Sequence, residues 1–487
     1  MAESAFARLI EHARSEHVVV VGGGIAGMVA ARELAKVGVQ VTLVEQSARL
    51  GGQLGAVEVG GVEVGLGATA WSGGADGDVS LLARELGLGD DLISPADEAE
   101  WLAIEAGVVP VPRGSVAGIP ANPWDEDVRR VIGWGGTWRA YLDRLRPPLT
   151  IGQQRNLGAL VATRMGRKVR DRLVAPVTRG RYGLAPDDAD VQVVARGLGS
   201  ALTRTGSLSG AVGERAETAR DGSLQGVRGG LPRLMRALEA SLNDYAVTVL
   251  TNTRVSAVRA GDGWTVDAIT PEGAHTLTAH AVVVACREVS GSLDVELPPV
   301  LARELVQDIV TLVVDAPAPA TRRASVYIGE GAELSPVAPV LAADETARWG
   351  EGGRSRVLRL TYGDLEHPSP LADFDAEALT RAATEHARVL LDVSGEVRGI
   401  HCARVVQTAP AALAGRLEAG AAVRQHAARL PALAVVGEWV TGPGLGRVVS
   451  QARSESERLR VSLLWGEHPD GATLGEDHPI DQREETP

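Results

Sequence analysis

At 487 residues the chain is long enough for two or three domains, and 45% of it is hydrophobic, so it can bury a sizeable core. A net charge of −13 excludes a general nucleic-acid binder, which needs a basic footprint, and disfavours purely electrostatic docking on anionic lipid. Aromatic residues make up only 3%, and nearly every basic residue is arginine; Lys36 and Lys168 are the only lysines. The two cysteines, Cys286 and Cys402, lack metal or redox spacing. They predict no metal site and a reduced, cytoplasmic setting, with both thiols as ordinary core residues. Residues 1–17 read as a short mixed-charge helix without a signal-peptide apolar region, and no apolar run is long enough to span a bilayer.

The first strong element is Val18 to Val21, four valines in a row, which predicts a strand buried on both faces. Gly22, Gly24 and Gly27 follow in the spacing G-x-G-x-x-G. The first makes a tight turn, the second lets backbone N–H groups approach a pyrophosphate, and the third lets the next helix pack closely. That helix is predicted from Ile25 to Val37, ending near Gly38, with its positive end at the phosphates. A second buried strand, Val39 to Val44, ends on Glu45, which can accept hydrogen bonds from a ribose. Strand, glycine turn, helix, strand and acid together predict a dinucleotide site. Arg49-Leu50-Gly51-Gly52 then places a permanently charged, forked donor where it could clamp a diphosphate.

Beyond Gln53, the stretch 56–71 reads as a hairpin around Gly60-Gly61, followed by the small residues Gly67, Ala68 and Thr69. A helix is predicted over Val79 to Leu86, and short strands over Leu92 to Pro123. Helical pattern fills 125–173, broken at Pro147-Pro148, and Pro176 to Asp190 reads as a turn-rich loop. Helices are expected over 210–220 and 231–242. Strands over 247–258 and 281–286 could extend the nucleotide-binding sheet. Residues 293–427 hold strands and a helix from Asp375 to Leu391. A buried strand, Ala432 to Glu438, leads into GPGLGRVV and a last helix through Leu459. The polar, acidic tail from Gly466 is expected to be disordered.

The R-x-G-G at Arg49 to Gly52 resembles the FAD-binding end of the amine oxidase, phytoene desaturase and protoporphyrinogen oxidase superfamily. Over Val18 to Leu459 the chain resembles, more narrowly, the bacterial protoporphyrinogen/coproporphyrinogen oxidases, flavoproteins of haem synthesis, and most of all the coproporphyrin-forming enzymes. ELGLGDDL (85–92), PVPRGSVAGIPAN (110–122), RMGRKVRDRLVAPVTRGRYGLAPDDAD (164–190), GSLSGAV (206–212) and RGGLPRLMRAL (228–238) carry the likeness in order and spacing. The resemblance implies an α/β fold in three parts. A Rossmann-like FAD-binding domain would take 1–75, 222–292 and 428–465. A mixed-sheet substrate domain would take 76–124 and 293–427, and a helical subdomain 125–221, leaving 466–487 as the tail.

By the same resemblance, non-covalent FAD would contact Gly22, Gly24, Ile25, Ala26, Gly27, Glu45, Gln46, Arg49, Gly52 and Gln53, and the segment Gly67, Ala68, Thr69 and Ala70. Val255 would meet the adenine through its backbone, and Glu438, Pro443, Gly444 and Leu445 would lie beside the flavin ring. The implied reaction is six-electron oxidation of coproporphyrinogen III to coproporphyrin III, with oxygen as acceptor and transient contact with a ferrochelatase. No catalytic acid–base pair stands out. Arg113, Arg179 and Arg181 lie in loops that the family places near the ring cavity. Gly180 is expected to let Arg179 and Arg181 turn toward one cavity as carboxylate anchors. Protoporphyrinogen IX oxidation, another FAD amine oxidase or desaturase activity, and a non-catalytic porphyrin-binding flavoprotein remain as alternatives. In some family members the helical domain touches the membrane, which leaves room for peripheral contact. The chain departs from the family where a basic pair is replaced by Ser72-Gly73-Gly74 and where the last turn reads GPGLGR.

Overall fold

The computed structural model describes residues 10–96, 99–145, 154–218, 224–300, 303–332, 334, 337–350, 353–408 and 410–465. The expected tail and the Pro147-Pro148 break lie outside the described residues. His17–Val21 occupies the middle of a five-stranded parallel sheet. Gln40–Val44 and Thr248–Leu250 lie to one side, Ala281–Val284 and Leu433–Val435 to the other. Val18 and Val20 pack with Met28, Leu34 and Val449, whereas Val19 and Val21 pack with Trp264, Val282 and Val435. The four-valine run is therefore buried on both faces, as its continuous hydrophobicity requires. The helices Ile25–Ala35 and Leu445–Trp465 pack on one face. The other is covered by a three-stranded antiparallel sheet of Arg254–Gly261, Gly263–Thr270 and Gly273–Ala279. So only part of the stretch 247–258 extends the nucleotide sheet. Past Leu250 the chain turns away through Asn252, which has φ 50°, and joins the other sheet.

A seven-stranded sheet stands across from the first. Its order is Glu396–Thr408, Glu304–Asp315, Ser355–Tyr362, Leu341–Asp344, Ser325–Ile328, Glu100–Ile104 and Gly107–Pro110. Only the pairing of Ser325–Ile328 with Glu100–Ile104 is parallel. The helix Ala376–Leu391 closes one face of this sheet, with the Asp375 carboxylate accepting from the N–H of Ala378 at 2.8 Å. The predicted hairpin forms from Ala56–Val59 and Val62–Gly65, with both turn glycines at positive φ. It packs through Val59 and Val64 on Val313, tying the two sheets together.

Helices Glu126–Tyr141, Leu157–Arg164, Ala175–Tyr182, Leu198–Thr205 and Leu208–Thr218 surround a separate apolar core. The helix Ala175–Tyr182 corrects the expected loop at 176–190. It follows directly on a π-helical turn, Arg170–Val174, whose wider spacing accommodates the missing N–H of Pro176, and Gly183 ends it in the left-handed conformation. A smaller correction concerns the C-terminal end of the last described strand. It stops at Val435, and Glu438 opens a one-turn helix, Glu438–Thr441, instead of ending the strand.

One buried ion pair braces the helical part. Asp143, fully buried, accepts from Arg164 Nη1 at 2.9 Å and, through its other oxygen, from the N–H of Leu208. Asp143→Ala removes this carboxylate from beside a buried guanidinium and should cost about 3–5 kcal/mol. The shift in urea unfolding midpoint measures it; an unchanged midpoint would show that the pair is dispensable.

Candidate functional site

The glycine turn has the geometry that its spacing predicts. Gly22 adopts φ 108°, and its N–H donates to Val44 O at 2.8 Å. A Cβ on Gly27 would lie 1.9 Å from Gly22 O, so the helix approaches the strand as closely as backbone allows. Nothing lies within 4 Å of a Cβ placed on Gly24. The first N–H groups of the helix, which lack intrahelical acceptors, open on that space. The Arg49–Gly52 segment folds back across the turn: Gly51 has φ 111°, and its N–H donates to Gly23 O at 2.9 Å. Glu45 is held from two sides. Oε2 accepts from the N–H of Gly23 at 2.7 Å and Oε1 from the N–H of Ser47 at 2.8 Å. Each oxygen retains a lone pair that a hydroxyl could use.

A cleft of about 740 Å³ runs between this turn and the seven-stranded sheet. Gly22, Gly24, Ile25, Ala26, Glu45, Gln46, Gly52, Gln53, Gly67, Ala68, Thr69, Glu438, Pro443, Gly444 and Leu445 all line it. Four other expected residues do not. Gly27 lies behind the turn, packed on Gly22, and Arg49 is exposed. Ala70 is half-buried just past Thr69. Val255 sits in the first strand of the three-stranded sheet, at its register shift; the preceding Thr253 donates its N–H to Glu45 O at 2.9 Å.

Glu438 brings an unsatisfied acceptor to the cleft. Its Oε1 is buried without a hydrogen-bond partner, and burial pushes the carboxyl up to about 7 against the opposing charge of Arg416. Arg416 is buried behind it, donating from Nη2 to the carbonyls of Glu438 at 3.1 Å and Trp439 at 2.6 Å. An open helix N-terminus, a glycine cradle and an orphaned buried acceptor form a donor–acceptor set that fits a dinucleotide with hydroxyls along its length.

The opposite wall went unread in the sequence. Ile309, Thr361, Arg359, Glu345 and Arg348 line it together with Val405 and Gln407. One signal was there: RVLRLTY carries two arginines inside an otherwise apolar strand. Arg356 points away from the cleft and is buried against Asp344, whereas Arg359 faces the cleft.

The three arginines expected at the substrate do not line this cleft. Arg113 is exposed in a turn. Arg179 and Arg181 are two residues apart on a helix, so they point about 200° apart instead of toward one cavity. Arg179 faces a separate cavity of about 680 Å³ and pairs with Asp364 at 3.5 Å and Glu366 at 3.6 Å. Arg181, 41% exposed, pairs with Glu100 and the Tyr327 hydroxyl. Gly180 gives no flexibility there. A Cβ on it would lie 2.5 Å from the Tyr327 ring, so its role is close packing.

Neither cysteine is a core residue of the kind expected. Cys402 is exposed, and Cys286, half-buried, lines the cleft, with burial pushing its thiol up to about 12. Among the described residues no group of three or more His, Cys, Asp or Glu is arranged to hold a metal, and no helix is long and apolar enough to cross a membrane.

Comparison with known proteins agrees with the cleft. The profile of the "Flavin containing amine oxidoreductase" family matches residues 25–302. A coproporphyrinogen III oxidase of Propionibacterium freudenreichii is 26% identical over 92% of this chain and 91% of its own length. One from Mycobacterium tuberculosis H37Rv is 26% identical over 89% of this chain and 95% of its own. The crystal structure of a candidate protoporphyrinogen oxidase from Exiguobacterium sp. 255-15 superposes with a TM-score of 0.77 at 21% identity, covering 92% of this chain and 99% of that one. The chain belongs to the flavin containing amine oxidoreductases, and its cofactor is FAD.

Proposed function

We propose that the protein oxidises coproporphyrinogen III to coproporphyrin III in haem biosynthesis, with oxygen as acceptor. The observation that carries this reading is the near full-length likeness to proteins named coproporphyrinogen III oxidase. The reaction removes six electrons and six protons in three two-electron steps, and three O2 leave as three H2O2. FAD supplies hydride acceptance from the bridging carbons. This chain supplies position and exclusion of water. The free N–H groups at the start of the helix Ile25–Ala35 would face the diphosphate, and Glu45 would offer acceptors to the ribose. Gln46, Gly52, Gln53 and Gly67–Thr69 would hold the cofactor, and Glu438 and Pro443–Leu445 line the same cleft. Ile309, Leu341, Ala343, Val405 and Val406 give the facing wall its apolar surface. The family name admits amine oxidation as a second reading. The wall counts against it, because Trp439 is the one aromatic among the described residues lining the cleft, too few for an aromatic cage.

Mixed anaerobically with each porphyrinogen, the holoprotein should bleach its flavin absorbance and, once oxygen is admitted, release porphyrin faster from coproporphyrinogen III than from protoporphyrinogen IX. Bleaching by protoporphyrinogen alone would overturn the substrate assignment; bleaching by neither would overturn the porphyrinogen reading.

Glu45→Gln keeps the side-chain shape but removes the charge that accepts a ribose hydroxyl. FAD affinity of the apoprotein should fall by about 1.5–3 kcal/mol, roughly ten- to hundredfold, in a fluorescence titration. An unchanged affinity would remove Glu45 from the ribose site.

Glu438 makes the apoprotein pH-sensitive. Its folded-state carboxyl titrates at about 7 against an ordinary value of 4.5, so the folded state holds the proton more tightly. The neutral form is stabilising below the ordinary value, and that stability is lost as pH rises toward 7. Melting temperatures of the apoprotein should fall across that window in the wild type and stay flatter in Glu438→Gln; parallel curves would show that Glu438 titrates normally.

A further inference from the structure

The sheet wall of the cleft carries a charge cluster that the reading of the substrate leaves unused. Arg359 lies on Ser355–Tyr362 and is only 7% exposed. It shares a face of that strand with Thr361, whose register partners Ile309 and Leu341 also line the cleft. Its guanidinium reaches across to the hairpin. Nη1 donates to Gly65 O at 3.2 Å and Nη2 to Leu66 O at 3.0 Å. Those two carbonyls immediately precede Gly67, Ala68 and Thr69, which line the cleft. Gly67 is itself wedged, since a Cβ there would lie 2.2 Å from Gln53 O.

The charge of Arg359 is incompletely balanced. Glu345, 8% exposed, is the carboxylate that favours its charged form, yet no ion pair joins the two. Glu345 Oε1 accepts from Arg348 Nη1 at 3.1 Å, and Oε2 accepts from the indole N–H of Trp349 at 3.1 Å. Burial opposes the charge of Arg359 most, and Arg348 opposes it further. A guanidinium nevertheless stays protonated in a protein. Two guanidiniums share one carboxylate, which leaves a net +1 in a low-dielectric wall. Fixed positive charge of that kind is costly unless an anion comes to face it.

We propose that Arg359 is a positioning residue with an electrostatic effect on the cofactor: it fastens the Gly65–Thr69 segment against the bound flavin, and the net charge of the Arg359–Glu345–Arg348 cluster favours the reduced flavin over the oxidised one. Two-electron reduction with uptake of one proton leaves the ring system at −1. A preorganised positive charge acts on that state and hardly at all on the neutral oxidised ring. The inference rests on the flavin and is independent of which substrate is oxidised.

Potentiometry of the holoprotein at fixed pH, with a dithionite-generated reductant and a reference dye, tests it by sign. Arg359→Met should shift the ratio of reduced to oxidised flavin about tenfold toward oxidised, a fall of about 30 mV for a two-electron couple. Glu345→Gln removes the one negative charge and should move the potential the other way. Arg359→Lys keeps the charge but cannot span both carbonyls; it should leave the potential near wild type while apoprotein affinity for FAD falls several-fold. A clamp without electrostatic effect would give no opposed pair. Shifts of the same sign in Arg359→Met and Glu345→Gln, or none in either, would overturn the proposal. Should Arg359→Met lose its flavin on purification, Glu345→Gln alone decides: a raised potential supports the proposal, and an unchanged or lowered one overturns it.

Discussion

Gly27 lies so close to the carbonyl of Gly22 that a single methyl group there would come within 1.9 Å of the oxygen. The rest of the cleft depends on this approach. It brings the helix Ile25–Ala35 down onto the strand His17–Val21 and leaves its N-terminal N–H groups facing open space beside Gly24. Glu45 completes the same unit from the neighbouring strand, its Oε2 bound to the N–H of Gly23. The turn and the acid therefore hold each other in place, and neither is an independent device. Arg49–Gly52 then locks the outer side through the N–H of Gly51 on Gly23 O.

What surrounds that unit is assembled from distant stretches of chain. The central sheet takes strands from 17–44, 248–284 and 433–435, and the facing sheet takes strands from 100–110 and 304–408. Contacts of such long sequence separation need most of the chain in place before they form. The two halves are joined by contacts that are just as long in sequence: Val59 and Val64 on Val313, and Arg359 on the carbonyls of Gly65 and Leu66. A hairpin of two four-residue strands is thus part of the link between the halves.

How much could be read from the sequence follows from how local each signal is. The valine run, the glycine turn, Glu45, the Gly60-Gly61 hairpin and the helix capped by Asp375 each carry their cause within a few residues, and each is found where the pattern puts it. The helix Ala175–Tyr182 is not legible in its composition, because turn-rich residues also serve helices: Pro176 is accommodated by the π-helical turn before it, and Gly183 caps the end. The wall of the cleft was invisible for a different reason. Which face of a strand looks at a cofactor depends on its partners, and the partners of Arg359, Thr311 and Ala343, come from two other strands.

The arginines make the same point in terms of charge. The chain has 49 basic residues and 62 acidic ones, so an arginine beside a carboxylate is the ordinary case. Arg179 and Arg181 follow it: both sit at the surface of a helix with acidic partners, where the pairing is worth little and their charge is already spent. Arg356, three residues before Arg359 on one strand, is buried and neutralised by Asp344. Arg359 alone of this pair turns its charge toward the cleft, bonded to backbone carbonyls that cannot cancel it. Charged residues therefore point to function here through the absence of a full counter-charge at a buried wall. Their abundance or spacing along the chain does not show that. A guanidinium held in this way keeps its orientation through its hydrogen bonds and its field through its missing partner, and both are needed if it is to act on a redox group without touching it.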